Sequence, residues 1–414
     1  MRLAFTAALL ALAWPVEARA QDLIGHGGPV GALSVQGGAV LSGAFDTRAI
    51  LWSSQGQAAA VLRIHDGAVT AVAQLSDGRL ATGGQDGRIA LWPAGGGVEP
   101  LQLTAPYPAP VVALSHGPGG LLAAHRDGWL RGLDTATAGF QAHRDRISGL
   151  AHMPDGSFVT VGGDLALRRW EGARLVASAD LPALPNGLAV QGDRLALVFA
   201  DGALRLYDAE GRLLPERFLT DRPLVAVAAG PDHLAAASVD GTVWLLDAAR
   251  VEAVHRLAPG QGPVWALALD SAQLFTAGGD GRILRWRLSD GARLGAGDGA
   301  VSGTEAWAEF WDDGSRGAQV WRACAACHTL TPDDGNRAGP SLHNIFGRRI
   351  GTVPGFDYSD SLPQLDIIWT PETVAALFEH GPEAYTPGSR MPEQRLSDPA
   401  DRAALVEFLA RFSD

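Results

Sequence analysis

The sequence predicts a multidomain chain: an all-β seven-bladed propeller followed by an all-α domain. Three observations predict it. An aspartate-centred phrase recurs seven times with a period near 40 residues, strand-like alternation gives way to helical periodicity near residue 300, and a single C-x-x-C-H motif sits inside the helical part. At 414 residues, with 47% hydrophobic and 19% charged side chains, the chain is too long for one small domain and has the make-up of ordinary globular protein. The reading divides it into residues 1–20, 21–298, 299–312 and 313–414.

The first segment has the form of a secretory leader. Arg2 precedes an apolar run from Leu3 to Trp14, and Ala18-Arg19-Ala20 supplies the small-x-small cleavage pattern. The run is shorter than the ~20 residues a membrane span requires. Cleavage after Ala20 and delivery to a bacterial periplasm are therefore expected, and no later segment reads as transmembrane.

Between residues 22 and about 298, Asp46, Asp86, Asp127, Asp164, Asp201, Asp240 and Asp280 follow one another at gaps of 40, 41, 37, 37, 39 and 40 residues. Most stand in Asp-Gly turns, and each unit alternates short β-rich runs with turn signals, as in Ala68–Ala73, Ser76–Arg79, Leu80–Gly83 and Arg88–Trp92. Such runs are too short to form independent sheets. Burial has to come from four-stranded blades stacked radially around a channel.

Further residues recur with the aspartates: His26, Ser42 and Trp52 with Asp46, His65, Thr82 and Trp92 with Asp86, and His143, Thr160 and Trp170 with Asp164. On these residues and the period, the region resembles WD40 repeats. The resemblance implies a structural His–Ser/Thr–Asp–Trp hydrogen-bonded tetrad in those blades, which satisfies polar groups inside β-structure. Blades three, five and six keep the aspartate and lose the tryptophan, ending in Leu133-Asp134, Tyr207-Asp208 and Leu246-Asp247. The other propeller histidines, His116, His125, His152, His233 and His255, neither recur at one blade position nor make a metal-spaced cluster. Whether residues 22–24 or 291–298 supply the strand that closes the ring is open at this level.

After Trp286 a Gly-rich stretch from Gly291 to Gly303 and an aromatic, acidic segment lead to an amphipathic helix over Gly317–Ala323. It runs into Cys324-Ala325-Ala326-Cys327-His328, which contains the chain's two cysteines. With no second cysteine pair and no βαβ context, zinc and thioredoxin-like readings have nothing to build on. C-x-x-C-H is a c-type haem attachment pattern. Two thiolates add to the two vinyl groups, and the adjacent histidine is brought under the iron, so one turn of chain sets both attachment and axial ligation. One covalent haem c on Cys324, Cys327 and His328 is the expected cofactor.

From residue 313 onward the sequence resembles class I cytochromes c. Gly339-Pro340-Ser341-Leu342-His343-Asn344 resembles the loop whose proline carbonyl accepts the axial histidine's other N–H, which implies that role for Pro340 and a fixed tautomer for His328. Pro354–Ser359 and Ile367–Trp369 resemble the segments that close over the propionates. The resemblance implies that Arg348, Tyr358 and Trp369 hydrogen-bond or neutralise those carboxylates. Tyr385–Pro392 resembles the loop of the sixth ligand. It implies Met391 as the second axial ligand, with Tyr385 and Ser389 as cofactor contacts. The chain has three methionines; Met1 leaves with the leader and Met153 sits in a blade turn. Leu377–Pro382 departs from the family by one extra residue. His343 and His380 are alternative distal ligands, each in a motif where the family has a non-ligand. Leu405, Val406, Phe408, Leu409 and Phe412 form a helical stripe expected to cross the first helix of this domain.

His/Met ligation fills both axial positions and raises the reduction potential, which favours electron transfer over catalysis. The sequence therefore points to a periplasmic electron carrier whose propeller docks a redox partner. The formal net charge of -12 disfavours nucleic acid and suits a basic or neutral partner surface. Every basic side chain is Arg and none is Lys, so a lysine-ringed docking face is absent. Two other readings stand beside this one: a propeller enzyme with a second cofactor over its channel, and a redox or gas sensor in which Met391 is displaced.

Overall fold

A computed structural model of the protein describes residues 22–133, 139–294, 313–324, 328–332, 339–354, 356, 358, 359, 361–389, 391, 395, 396 and 398–413. The leader over residues 1–20, Asp134, the linker over residues 299–312 and Cys327 lie outside the described residues.

The propeller has seven antiparallel sheets, six of them four-stranded in simple sequence order. Blade one is Val30–Gln36, Ala39–Ala44, Arg48–Trp52 and Ala58–Arg63, and each later blade repeats that meander. Inner strands neighbour one another around the ring, the seventh beside the first. The core is divided among seven apolar clusters, each shared by two adjacent blades. At the seam that closes the ring, Ile50 and Trp52 pack with Phe275 and Ile283. No blade buries its faces alone, which is why the period had to be sustained around a full ring.

Both candidate closing segments are used. Leu23–Ile24 pairs with Arg282–Ile283, and Arg293–Leu294 pairs with Arg285–Trp286, on the same outer edge of blade seven. The two ends of the propeller thus share one strand position, and Arg293 forms an ion pair with Asp22 across the junction.

Three tetrads form as the spacing implied. In blade one, Trp52 Nε1 donates to Ser42 Oγ (2.8 Å), the Ser42 hydroxyl donates to His26 Nε2 (2.7 Å), and His26 Nδ1 donates to Asp46 (3.0 Å). Blades two and four repeat this with Thr82 and Thr160. Burial acts to raise the carboxyls of Asp46, Asp86 and Asp164, but hydrogen bonds and charge from the paired histidines, with backbone amides, hold all three below their ordinary values. Blade seven holds a fourth such network that the histidine pattern misses. Gln261 replaces the imidazole, donating to Asp280 (2.9 Å) and accepting from Thr276 (2.9 Å), which in turn accepts from Trp286 (3.0 Å). In blades three and five an arginine four residues after the aspartate takes over, Arg131 on Asp127 and Arg205 on Asp201.

The helical domain is built from α1 (Arg316–Cys324), α2 (Pro371–His380), α3 (Pro382–Tyr385) and α4 (Pro399–Phe412). Thr370 caps α2 in a capping box with Thr373, and Asp398 caps α4; each is followed by Pro at the first helical position. α1 packs on α4, as the apolar stripe predicts, with the Trp321 and Phe408 rings 6.0 Å apart. Arg316 at the start of α1 bridges Asp398 and Asp401 at the start of α4. Among the described residues no helix is long and apolar enough to cross a membrane.

Candidate functional site

α1, α2, α4 and the loops between them surround an apolar cavity of about 340 Å³. Trp321 and Cys324 come from α1, Val374, Leu377 and Phe378 from α2, and Leu405 and Leu409 from α4. These side chains also form the domain's core, so the domain packs around a space that its own residues leave open. His328, Pro340, Arg348, Tyr358, Trp369, Ser389 and Met391 all border it, which brings together residues spread over more than sixty positions of sequence.

Each polar group has a local reason for its place. His328 Nδ1 donates to Pro340 O (2.8 Å), which fixes the tautomer with the proton on Nδ1. Gly339 lies flat against that ring: a Cβ there would stand 2.4 Å from His328 Cε1. Arg348 donates to His343 O (2.8 Å) and Ser341 O (2.7 Å), and among the described residues it has no carboxylate partner. Burial pulls its pKa below the ordinary guanidinium value, the mark of a cation enclosed without a counter-ion. Burial likewise pushes the Tyr358 phenol up, and its hydroxyl accepts from Val353 N (3.3 Å). Trp369 is held by backbone bonds to Gly347 and Arg348, and the Met391 amide donates to Ser389 Oγ (3.0 Å).

Tyr385 is placed differently. It is partly buried against the apolar core, with its ring stacked 6.4 Å from His380, and does not line the cavity. His380 is exposed at the end of α2, and His343 Nε2 accepts from Asn344. Met153 is buried at the seam of blades four and five. Of the described methionines, Met391 alone reaches the cavity.

Within the propeller, His26, His65 and His143 are occupied by the tetrads. Burial, with His116 close by, pushes the His152 imidazole down to about 4, and its Nδ1 accepts from Ser115 Oγ (2.9 Å). His125 is fully buried and donates from Nδ1 to Ala109 O (2.9 Å). Among the described residues no three or more His, Cys, Asp or Glu side chains converge in a metal-holding group.

A largely apolar cavity lined by one imidazole, one thioether, a buried cysteine and a guanidinium without a carboxylate partner fits a flat, apolar metal-bearing ring with anionic edges. Comparisons with known proteins agree. The cytochrome c family profile matches residues 314–413, and the profile of the WD domain, G-beta repeat, matches residues 56–93 and 135–171. Cytochrome c of Cochliobolus lunatus is 41% identical over 98 residues, 23% of this chain and 90% of the relative. Cytochrome c of Arabidopsis thaliana is also 41% identical over 98 residues, 87% of its length, and cytochrome c2 of Blastochloris viridis is 35% identical over 101 residues, 79% of its length. The WD40 β-propeller domain of Doa1 superposes with a TM-score of 0.57 at 18% identity, covering 64% of this chain and 95% of that one. A computationally designed protein, Ika8, superposes with a TM-score of 0.55 at 22% identity, covering 69% of this chain and 91% of its own. These structures share the fold with the propeller region.

Proposed function

Since the chain belongs to the cytochrome c family through its C-terminal domain, we propose that it is a periplasmic electron carrier with one covalently bound haem c, ligated by His328 and Met391, whose propeller docks a redox partner. The observation that carries this reading is that His328 and Met391 border one apolar cavity, with the His328 tautomer set by Pro340. When bound, haem c supplies reversible one-electron chemistry at its iron. Cys324 and Cys327 would provide the thioether attachment, and His328 and Met391 would be the two ligands from the chain, which would leave no site on the metal for a substrate. Arg348, Tyr358 and Trp369 line the same cavity and would hold the cofactor's carboxylates, where the Arg348 guanidinium would offset the cost of burying them. The apolar walls from α2 and α4 would keep water from the bound group.

Joining the carrier to a propeller raises its effective concentration at whatever the propeller binds. The acidic balance of the chain, -12 overall, suits a basic or neutral partner. The test is mass spectrometry and kinetics on periplasmic protein: a mass increase of one haem, lost in Cys324→Ala/Cys327→Ala, supports attachment. Deletion of residues 22–294 should keep the haem spectrum and slow reduction by a periplasmic extract; an unchanged rate would leave the propeller without a docking role.

A further inference from the structure

The cavity that holds His328 and Met391 is not walled by the helical domain alone. The blade-one turn Phe45–Arg48 borders it too, on the same cavity as Arg348 and Tyr358. This turn breaks a rule kept by most of the ring. At the position after the repeat aspartate, glycine with positive φ stands in blades two, three, five, six and seven, and in blade two a Cβ would come 2.2 Å from Tyr107 O of the next blade's loop. Blade one has Thr47 there, at φ 66°, a left-handed conformation that β-branched residues rarely adopt. Blade four has the other exception, Leu165, which is exposed.

Arg48 adds charge to this geometry. Its backbone amide donates to Asp46 (3.1 Å), and that carboxylate is already engaged by His26 and Gly27. Among the described residues the Arg48 guanidinium forms no ion pair. Two cationic side chains, Arg48 from the propeller and Arg348 from the helical domain, thus border one cavity without carboxylate partners.

We infer that the Phe45–Arg48 turn is the propeller's docking surface for its own haem domain, with Arg48 supplying a second positive charge to the propionate side of the cavity. The inference rests on the haem reading above and adds a role for the propeller in setting the reduction potential. A cation beside the cofactor stabilises the reduced state, which carries one positive charge fewer. Phe45 borders the cavity beside Arg48 and adds apolar surface to its wall.

The experiment is an optical redox titration of the full-length haem-loaded protein, comparing wild type with Arg48→Gln, Arg48→Glu and Phe45→Ala, and with Arg194→Gln in blade five as a distant control. Arg48→Gln should shift the reduction equilibrium toward the oxidised form by about three- to tenfold, a potential lower by roughly 30–60 mV for a one-electron couple. Arg48→Glu should shift it further, Phe45→Ala should shift it in the same direction, and Arg194→Gln should leave it in place. Unchanged potentials in both Arg48 variants, with the haem spectrum intact, would overturn the inference alone. A wild-type chain that carries no haem would overturn it together with the cofactor reading.

Discussion

Gly339→Ala is the substitution whose effect follows most directly from the geometry of the site. The added methyl would meet His328 at Cε1 (2.4 Å), Nδ1 (2.7 Å) and Nε2 (2.9 Å), all inside van der Waals contact. The imidazole is tethered on its other side by the 2.8 Å bond from Nδ1 to Pro340 O, so relief requires the ring to turn and give up that bond. Losing the hydrogen bond costs about 0.5–1.5 kcal/mol, and forcing a methyl into a packed site costs about 1–3 kcal/mol. Together they destabilise the helical domain by roughly 2–4 kcal/mol. In a unit of the size spanned by residues 314–413, each kcal/mol lowers Tm by about 4–8 °C, so a fall of roughly 10–30 °C is expected. Thermal unfolding followed at the haem band reads it, and the band that reports sulfur bound to iron should weaken before unfolding begins. A Tm within about 2 °C of wild type, with an unaltered spectrum, would refute the packing argument.

Three further outcomes concern the propeller. Ser42→Ala leaves His26 Nε2 and Trp52 Nε1 without their shared partner in a fully buried position, which should destabilise the propeller by about 2–4 kcal/mol in urea unfolding followed by tryptophan fluorescence. Gln261→Ala should cost about 1–3 kcal/mol, and Gln261→His should restore most of it; equal losses in both would show that Gln261 is no tetrad member. Because Asp46, Asp86 and Asp164 have folded-state pKa values below the unfolded value of about 3.9, their contribution is fully present above that value and is lost as pH falls through the lower folded values. Propeller Tm should therefore be flat near neutral pH and drop steeply below about pH 4, with a shallower drop in Asp86→Asn.

The repeats were legible because the aspartate is kept even where the other tetrad members are not, and its job of holding a tight turn survives a change of partner. That tolerance also hid the rest. Gln261 does the work of an imidazole 19 residues before Asp280, one or two fewer than the histidines keep, and Arg131 and Arg205 capture their aspartates from four residues away. Neither substitution has a motif. A pattern search for Gln or Arg at those offsets would have found them. Ring closure was not readable because two two-residue strands carry no periodicity; register on Arg282–Trp286 decides it.

In the helical domain, local motifs pick out His328, Pro340 and Met391, which the fold brings to one cavity, because each stands in a short run of sequence. Tyr385 lies in such a run and is partly buried against the core at the end of α3, its ring stacked beside His380. The border that Phe45–Arg48 gives the cavity joins residues some 300 positions apart, beyond any sequence pattern.

One haem held by both His328 and Met391 is the feature on which the electron-carrier function depends. The most direct measurement is the optical spectrum of the full-length periplasmic protein, oxidised and reduced, with and without carbon monoxide, alongside haem per chain and the Met391→Ala variant. The account predicts one covalent haem, a sulfur-to-iron charge-transfer band, no response to carbon monoxide in the wild type and ready binding in Met391→Ala. A second chromophore, or a wild-type iron that binds carbon monoxide, would contradict it and move the chemistry to an open haem site or to the propeller.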